Sequence, residues 1–522
     1  MELKNIKKIE STVTKQSNEL VRLGTGLVFM LGIVLFVVLK TKGVDGGFVL
    51  VVAAVIGGYM AMNIGANDVA NNVGPAVGSK ALTLVGAILV AAIFEAAGAL
   101  VAGGEVVSTI KKGIINPASI TDPNVFIWLM MAALFAGAVW LNLATFLGAP
   151  VSTTHSIVGG VLGAGLAAGG LGIANWDKMG AIAASWVISP VLGGVIAATF
   201  LFFVKKKIIY QPDMLNAARR YVPVLLALMA WAFGTYLAIK GLKKIWKIDF
   251  QTAALIGLVA AALVYLITNL MVSKASKKLE NTREGVNTLF TIPLIFAAAL
   301  LSFAHGANDV ANAVGPLAAI NDSIVNAGIS AKAAIPLWVM VIGALGIALG
   351  LLLYGPKLIK TVGTEITELD KSRAFCVAMA AAITVIIASQ LGLPVSSTHI
   401  AVGGIFGVGF LREYLKTSYA SELHHIADHH EGEEKVRLQE FLRDFQSASV
   451  EEMENMLKVA KQKKKELGLK KPDRKRLKKV YGEKLVKRSA FKKIIAAWVV
   501  TVPASACLAA LVFHLLNGLP IA

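Results

Sequence analysis

Charged residues are scarce in this chain of 522 residues. Asp, Glu, Lys and Arg together make up 16%, whereas hydrophobic residues make up 56%. Apolar runs of about 18 residues or more recur along the chain, which is typical of membrane-spanning helices and not of a soluble core. The composition therefore predicts an all-α polytopic membrane protein.

Cysteine is almost absent as well. Cys376 and Cys507 lie far apart in apolar segments, so the sequence contains no disulfide framework. The first 23 residues are polar and basic, and no small-residue cleavage site follows a short apolar core. We therefore predict an uncleaved cytoplasmic N-terminal segment over residues 1–23.

Basic residues are present in excess, but they are concentrated in one place. The formal charge is +19, and residues 461–493 carry 16 Lys and Arg against three acidic residues. Basic stretches beside spanning helices are expected on the cytoplasmic side, where anionic lipids attract them. We therefore predict membrane lipids and no nucleic acid as partners, and a multi-pass position in the cell inner membrane.

The apolar segments predict about 12 transmembrane helices. A first transmembrane half is expected over 24–220, connecting segments over 221–286 and a second half over 287–412. A basic, helical, cytoplasmic insert follows over 413–490, and the last transmembrane helix over 491–522. "GAPVSTTH" and "GLPVSSTH" interrupt two segments, which favours re-entrant or broken helices there.

Two motifs occur twice in the same order along the chain. "GANDVAN" begins at 65 and 306, and "PVS[TS]TH" begins at 150 and 394, so the offsets are 241 and 244 residues. Such agreement indicates duplication of one unit, as in many secondary transporters. An odd number of crossings separates the copies, which predicts inverted repeats.

The first motif supplies oxygen ligands at membrane depth. A buried carboxylate needs a cationic partner there, and no Lys or Arg lies in either motif. A mobile cation, with Na⁺ favoured and H⁺ as an alternative, is therefore the expected partner. Backbone carbonyls freed by an unwound Gly- and Pro-containing segment are expected to contribute. The predicted cation ligands are Asn67, Asp68, Asn71, Asn308, Asp309 and Asn312.

The second motif supplies hydroxyl groups after a proline, at the expected start of a helix. Hydroxyls and free backbone N–H groups at a helix N-terminus can bind an anion without a fixed positive charge. The predicted anion-binding residues are Ser152, Thr153, Thr154, Ser396, Ser397 and Thr398. His155 and His399 follow directly, and either contact the anion, relay protons, or are buried neutral side chains.

An anion beside two carboxylates would be repelled unless cations bind with it. Coupled binding of this kind predicts symport, in which a cation gradient drives the anion inward by alternating access around a midplane site.

The duplicated "GANDVAN…VGP" and "PVS[TS]TH…VGG" strings resemble the inorganic phosphate transporter (PiT) family, over about residues 47–412 and the last span. The resemblance implies a bacterial-type sodium/phosphate symporter that has no other cofactor and is not an enzyme. A homodimer is possible. Glu95, in "AIFEAAG", looks like a membrane glutamate of the family, whereas Ala378 stands where animal members carry a second glutamate.

Three alternatives stay open at this point. A sulfate permease would use the same site, because sulfate is also a tetrahedral oxyanion. A membrane sensor or receptor would bind without transport and could use the 413–490 insert. An intramembrane hydrolase could use Ser, His and Asp, although no glycine-flanked serine motif is present.

Overall fold

A computed structural model describes residues 2–146, 151–241, 248–326, 328, 335–365, 369–415, 440–441, 443–444, 456 and 488–519. Within these ranges the regular structure is helical, apart from one isolated bridge between Ile115 and Ala174. Most of the predicted insert at 413–490 lies outside the described residues, and so does Pro150 of the first hydroxyl motif.

Among the described residues, ten α-helices precede residue 280. They are α1 (Glu2–Lys40), α2 (Gly47–Asn67), α3 (Val69–Gly78), α4 (Leu84–Ala102), α5 (Gly104–Lys112), α6 (Pro123–Phe146), α7 (Thr153–Gly169), α8 (Trp176–Val204), α9 (Met214–Gly241) and α10 (Phe250–Ser276). The rest are α11 (Arg283–Leu289), α12 (Thr291–Val325), α13 (Leu337–Glu365), α14 (Lys371–Gln390), α15 (Ser397–Leu415) and α16 (Arg488–Leu516).

Eleven stretches of the described chain are long and apolar enough to cross a membrane. The 17-residue α7 and the 19-residue α15, which begin at the two hydroxyl motifs, are not among these eleven. The predicted fold class, an all-α polytopic membrane protein with broken helices at the second motif, is confirmed. The N-terminal segment is helical from Glu2, and the first candidate span begins at Glu19 inside α1.

The two copies of the first motif run in opposite directions. Gly57, which precedes the motif in α2, faces Leu317, which follows the motif in α12. Leu50 near the start of α2 and Val325 at the end of α12 both line one cavity, which is described below. The second copy is therefore inverted with respect to the first, as the sequence predicts.

Each motif helix packs closely against one helix of the other copy. In α12, a Cβ at Gly306 would collide with the backbone of Glu95 in α4, and in α2 a Cβ at Gly65 would collide with the backbone of Ile347 in α13. These two glycines are therefore required for close helix packing.

The predicted unwinding of the first motif is wrong. Helix α12 is continuous through its motif, and the α2–α3 interruption is confined to Asp68, which keeps right-handed helical angles (φ −83°, ψ −33°). The glycines allow interhelical contact instead of freeing carbonyls. Pro75 and Pro316 nevertheless lie inside helices, and a proline cannot donate to the carbonyl four residues earlier.

Candidate functional site

The four motifs meet in the buried interior, where their hydrogen bonds repeat with pseudo-two-fold symmetry. All of these residues belong to one compact unit, residues 1–404 with 494–522. Asn67 Nδ2 donates to Thr145 Oγ1 at 2.7 Å, and its counterpart Asn308 Nδ2 donates to Ser389 Oγ at 3.0 Å. Thr145 and Ser389 end the helices before the hydroxyl motifs and had not been predicted as site residues.

The carboxylates accept hydrogen bonds from the hydroxyl motifs. Thr153 Oγ1 donates to Asp68 Oδ2 at 2.7 Å, and Thr398 Oγ1 lies 3.4 Å from Asp68 Oδ1. In the other half, Ser397 Oγ lies 3.5 Å from Asp309 Oδ2. Predicted cation ligands and predicted anion ligands are therefore in direct contact.

The second asparagine of each motif bonds a hydroxyl of the opposite copy. Asn71 Nδ2 donates to Thr398 Oγ1 at 2.8 Å, and Asn312 Nδ2 lies 3.1 Å from both Thr153 Oγ1 and Thr154 Oγ1. Neither copy can form this arrangement alone. Each half thus completes the site of the other.

Two of the six predicted hydroxyls cap the helices. Ser152 Oγ accepts from the His155 backbone N–H at 3.2 Å, and Ser396 Oγ accepts from the His399 N–H at 3.4 Å. This is the geometry of an N-cap residue, which satisfies one free N–H of the first turn. Ser152 and Ser396 therefore cap α7 and α15. Of the hydroxyls that follow, those of Thr153, Ser397 and Thr398 reach the motif carboxylates, whereas Thr154 Oγ1 donates to the Val395 carbonyl at 3.0 Å.

The cluster has acceptor atoms in excess over donors. Asp309 Oδ1 and Asn312 Oδ1 are buried, and neither has a hydrogen-bond partner among the described residues. One ligand atom each from Asp68, His305 and Asp309 lie within 4.8 Å of one another. Burying an acceptor atom without a partner costs free energy. These oxygen atoms are therefore suitable ligands for a cation that prefers oxygen.

His305 was not predicted as a site residue, yet it is fully buried between two carboxyl groups. Its Nδ1 lies 2.7 Å from Glu95 Oε2, and its Nε2 lies 2.7 Å from Asp309 Oδ2, although at an angle unsuitable for a hydrogen bond. Asn72 Nδ2 donates to Glu95 Oε1 at 2.8 Å. These residues form a polar chain, Asn72–Glu95–His305–Asp309. Asp309 therefore has a basic neighbour on its own helix, although no Lys or Arg lies in the motif.

The polar chain has no counterpart in the other half. With the motif offset of 241 residues, the residue equivalent to His305 in the first copy is Ile64, and the residue equivalent to Asn72 in the second copy is Ala313. Gly306 packs on the backbone of Glu95 and its equivalent Gly65 packs on the backbone of Ile347, so Ile347 is the structural equivalent of Glu95. Ala378, which the family resemblance suggested as the site of a second glutamate, lies on α14 and is not the structural counterpart of Glu95. The surroundings of Asp68 and Asp309 are therefore chemically different.

The histidine rings of the second motif pack against each other at a tilt of 39°. The rings of His155 and His399 have centroids 4.8 Å apart, and Trp186 packs on His155 with centroids 3.8 Å apart. Both histidines are buried, and His155 Nδ1 has no hydrogen-bond partner among the described residues. A direct role for either imidazole at the anion stays a prediction.

A model of the family described as "Phosphate transporter family" matches residues 64–509. The chain belongs to the phosphate transporter family. The transporter is 53% identical over 523 residues to a Helicobacter pylori protein named "Putative phosphate permease", with 98% of each chain covered. A Haemophilus influenzae protein of the same name is 40% identical over 377 residues, covering 70% of this chain and 89% of that protein.

A solved structure titled "The sodium-dependent phosphate transporter" is similar to this transporter. Its TM-score is 0.74 at 30% identity, and the similarity covers 90% of this chain and 99% of that one. The family resemblance predicted from the motifs is thus confirmed. Because the family is one of membrane transporters, the protein is a multi-pass membrane transporter and not an enzyme, and the hydrolase alternative is wrong.

Proposed function

We propose that this transporter imports inorganic phosphate across the cell inner membrane together with a cation, Na⁺ in preference to H⁺. The observation that carries the proposal is the pair of unpaired buried acceptors, Asp309 Oδ1 and Asn312 Oδ1, beside hydroxyl-rich helix N-termini. The solved relative titled as sodium-dependent supports Na⁺ as the coupling ion.

The oxygen atoms of the first motif are suitable ligands for Na⁺. Hard cations take carboxylate, amide and carbonyl oxygens, and the motif supplies all three types. Pro75 and Pro316 leave the carbonyls of Asn71 and Asn312 without a helical donor. Among the described residues, no Lys or Arg forms an ion pair with Asp68 or Asp309. His305 contacts Asp309 and can balance at most one carboxylate, so a cation supplies the remaining positive charge.

The N-termini of α7 and α15 are suitable for the anion. Each presents backbone N–H groups and a positive helix dipole at its first turn. Thr153 and Thr154 begin α7, and Ser397 and Thr398 begin α15, so donors approach from both copies. A tetrahedral oxyanion between the two helix ends would be bound from opposite sides.

The shared hydroxyls give a physical reason for coupling. A hydroxyl has one proton to donate, and that of Thr153 is directed to Asp68 Oδ2. A cation bound at the carboxylate neutralises it and frees the proton for a phosphate oxygen. One oxygen each of Asp68 and Asp309 lie within 4.8 Å of one another, and two unit charges at that distance repel by about 3.5 kcal/mol at an effective dielectric constant of about 20. Phosphate would add to that repulsion, so it binds well only with cations.

Uptake of labelled phosphate into proteoliposomes tests this function. An inward Na⁺ gradient should drive uptake, whereas K⁺ with a proton gradient should not, and excess unlabelled sulfate should leave uptake unchanged. Hydrogen phosphate can donate its proton to a site acceptor and sulfate cannot, which favours phosphate. Uptake driven by protons alone would reassign the carboxylates to proton carriage. Competition by sulfate would favour the sulfate permease alternative.

Removal of two site hydroxyls should weaken phosphate binding selectively. We expect Thr153→Ala combined with Ser397→Ala to raise the phosphate KM at least about tenfold, since a hydrogen bond to a charged group contributes about 1.5–3 kcal/mol. Thr384→Ala is the control, because that hydroxyl donates to the Ala380 carbonyl of its own helix. Equal losses of phosphate and Na⁺ affinity would show that these hydroxyls only pack helices.

Deletion of residues 415–485 tests whether the insert is needed for transport. All the site contacts described above lie outside this range, so we expect Na⁺-dependent uptake to persist with altered regulation. Uptake in proteoliposomes is the measurement. Loss of uptake by a deletion variant that still binds phosphate would favour a sensing role that depends on the insert.

A further inference from the structure

A large apolar cavity lies beside α1, the first helix. Its volume is about 1050 Å³, and it is bounded by α1, the α1–α2 turn, the start of α2, the end of α12 and the start of α13. None of the cation or anion ligands lines it. The helix α1 precedes the residues that the family model matches.

The cavity follows the length of one membrane leaflet. Along α1 it extends from Lys40, the last residue of the first candidate span, to Phe29. Eleven residues of helix rise about 16 Å, and half of a bilayer's hydrocarbon thickness is about 15 Å. On α13 it begins at Leu337, the first residue of another candidate span. The cavity therefore reaches from the headgroup level to about the bilayer centre.

The two ends of the cavity differ in polarity. The membrane-centre end is lined by side chains such as Phe29, Ile33 and Leu345. Lys40, Thr41 and Asn321 lie at the other end, and none of the sixteen lining residues is acidic. Trp338 is also at this end and contacts Phe36 of α1 with ring centroids 6.2 Å apart. Tryptophan is enriched at membrane interfaces, and Lys attracts anionic headgroups.

The candidate span of α1, Glu19–Lys40, contacts little protein. Most of its residues are exposed, and the side chains of Leu27, Leu31 and Leu35 are exposed by 60% or more. A hydrocarbon chain between α1 and α13 would supply contacts that the protein does not. A chain that fills the cavity makes dispersion contacts with α1 and with α13, and these contacts stabilise the packing of both helices.

We propose that this cavity binds one anionic glycerophospholipid, with an acyl chain along Phe29–Phe36 and its phosphate beside Lys40. The length of one leaflet, the apolar wall and the single cationic end match the chemistry of such a lipid. The lipid joins α1 to the transport core. Neither the cation nor the anion proposal enters this argument, which depends only on the membrane-spanning fold.

Gly32 offers a direct way to obstruct the cavity. It lines the cavity, and a Cβ built there would meet no atom within 4 Å, so Gly32→Leu adds bulk without a backbone clash. Gly24 is an exposed glycine of the same helix with equally open surroundings, but it does not line the cavity. Gly24→Leu is therefore a matched control.

Native mass spectrometry of the full chain in detergent measures the binding. Phosphatidylglycerol and phosphatidylethanolamine are titrated separately. We expect one phosphatidylglycerol to bind the wild type more tightly than phosphatidylethanolamine, at least tenfold weaker binding to Gly32→Leu, and no change in Gly24→Leu. Equal retention by all three proteins, or no preference for the anionic lipid, would overturn the proposal.

Lys40→Gln tests separately whether the Lys40 charge contributes to lipid binding. It also provides a second test of the proposal if Gly32→Leu folds poorly. Lys40 is exposed, so its replacement should leave the fold intact. A basic residue near an anionic lipid contributes about 1 kcal/mol, so we expect phosphatidylglycerol affinity to fall about fivefold. Phosphatidylethanolamine affinity should change less. Lys42→Gln, outside the cavity lining, is the control, and an equal effect of both substitutions would contradict a specific headgroup site.

Discussion

Asp68→Asn is expected to abolish Na⁺-dependent phosphate uptake while the protein remains folded. The substitution keeps the side-chain shape and removes the negative charge that two hydroxyls contact in the structure. An ion pair at about 4 Å contributes about 4 kcal/mol at an effective dielectric constant of about 20, so sodium affinity should fall at least about a hundredfold. Uptake of labelled Na⁺ and phosphate into proteoliposomes measures both losses.

Asp249→Asn is the matched control for this experiment. Asp249 caps α10 at the surface, where its side chain accepts from Gln251 and Thr252 backbone N–H groups. Asn is also a good capping residue, so uptake should stay near the wild-type rate. Normal uptake by Asp68→Asn with an unchanged Na⁺ requirement would remove Asp68 from the cation site.

His305→Ile is expected to lower both the stability of the protein and its rate of transport. The imidazole lies between the buried carboxyl groups of Glu95 and Asp309. Removing one partner of a buried pair typically costs about 3–5 kcal/mol, because the other charge stays buried and unpaired. We therefore expect a clear fall in the Tm of the detergent-solubilised protein and at least a tenfold loss of uptake.

A triple variant separates the contribution to folding from the contribution to transport. The triple variant replaces three polar residues with the apolar residues found at the equivalent positions of the other half. The substitutions are His305→Ile, Glu95→Ile and Asn72→Ala, and the equivalent residues are Ile64, Ile347 and Ala313, respectively. Replacing a buried polar network with apolar groups is often neutral for stability, so we expect the Tm to recover. Uptake should stay low, because Asp309 Oδ2 loses the contact that fixes its position.

Full recovery of uptake in the triple variant would show that the polar chain serves folding alone. Ile64→Val, a small change at the apolar counterpart position, is the control. It should keep both the Tm and the uptake rate close to those of the wild type, since Ile→Val typically costs about 0.5–1.5 kcal/mol.

The duplicated strings were sufficient to select the polar residues that meet in the structure. Asp68 and Thr153 are 85 residues apart and form a 2.7 Å hydrogen bond, and Asn71 bonds Thr398 across the two copies. This was predictable because each unit appears twice, so a residue type kept in both copies at equal spacing stands out from the apolar background.

His305 could not be found in the same way. It precedes the second motif directly, but its counterpart in the first copy is Ile64, so comparison of the copies gives no signal. Its partner Glu95 is 210 residues away and belongs to the other copy. The only indication in the sequence was that His305 is an ionisable residue four positions before Asp309 in an apolar segment. An ionisable residue within a membrane segment is itself a reason to suspect function.

The backbone at the first motif also required the structure. Gly and Pro permit several conformations, and the sequence prediction chose unwinding for both copies. Gly306 instead allows α12 to pass against the Glu95 backbone as a continuous helix. Local propensity cannot distinguish a glycine that frees the backbone from one that admits a neighbouring helix, because the neighbour is distant in sequence.

The sequence by itself determined the membrane environment, the duplication and the inverted order of the copies, because hydropathy and repetition can be recognised along the chain without knowing which helices pack together. Tertiary structure decided which motif residues contact one another and made the surroundings of Asp68 and Asp309 unequal. It also placed a leaflet-deep apolar cavity beside α1. These features depend on which helices pack together. Packing brings together residues that are far apart in the chain, and their sequence separation does not reveal that they are in contact.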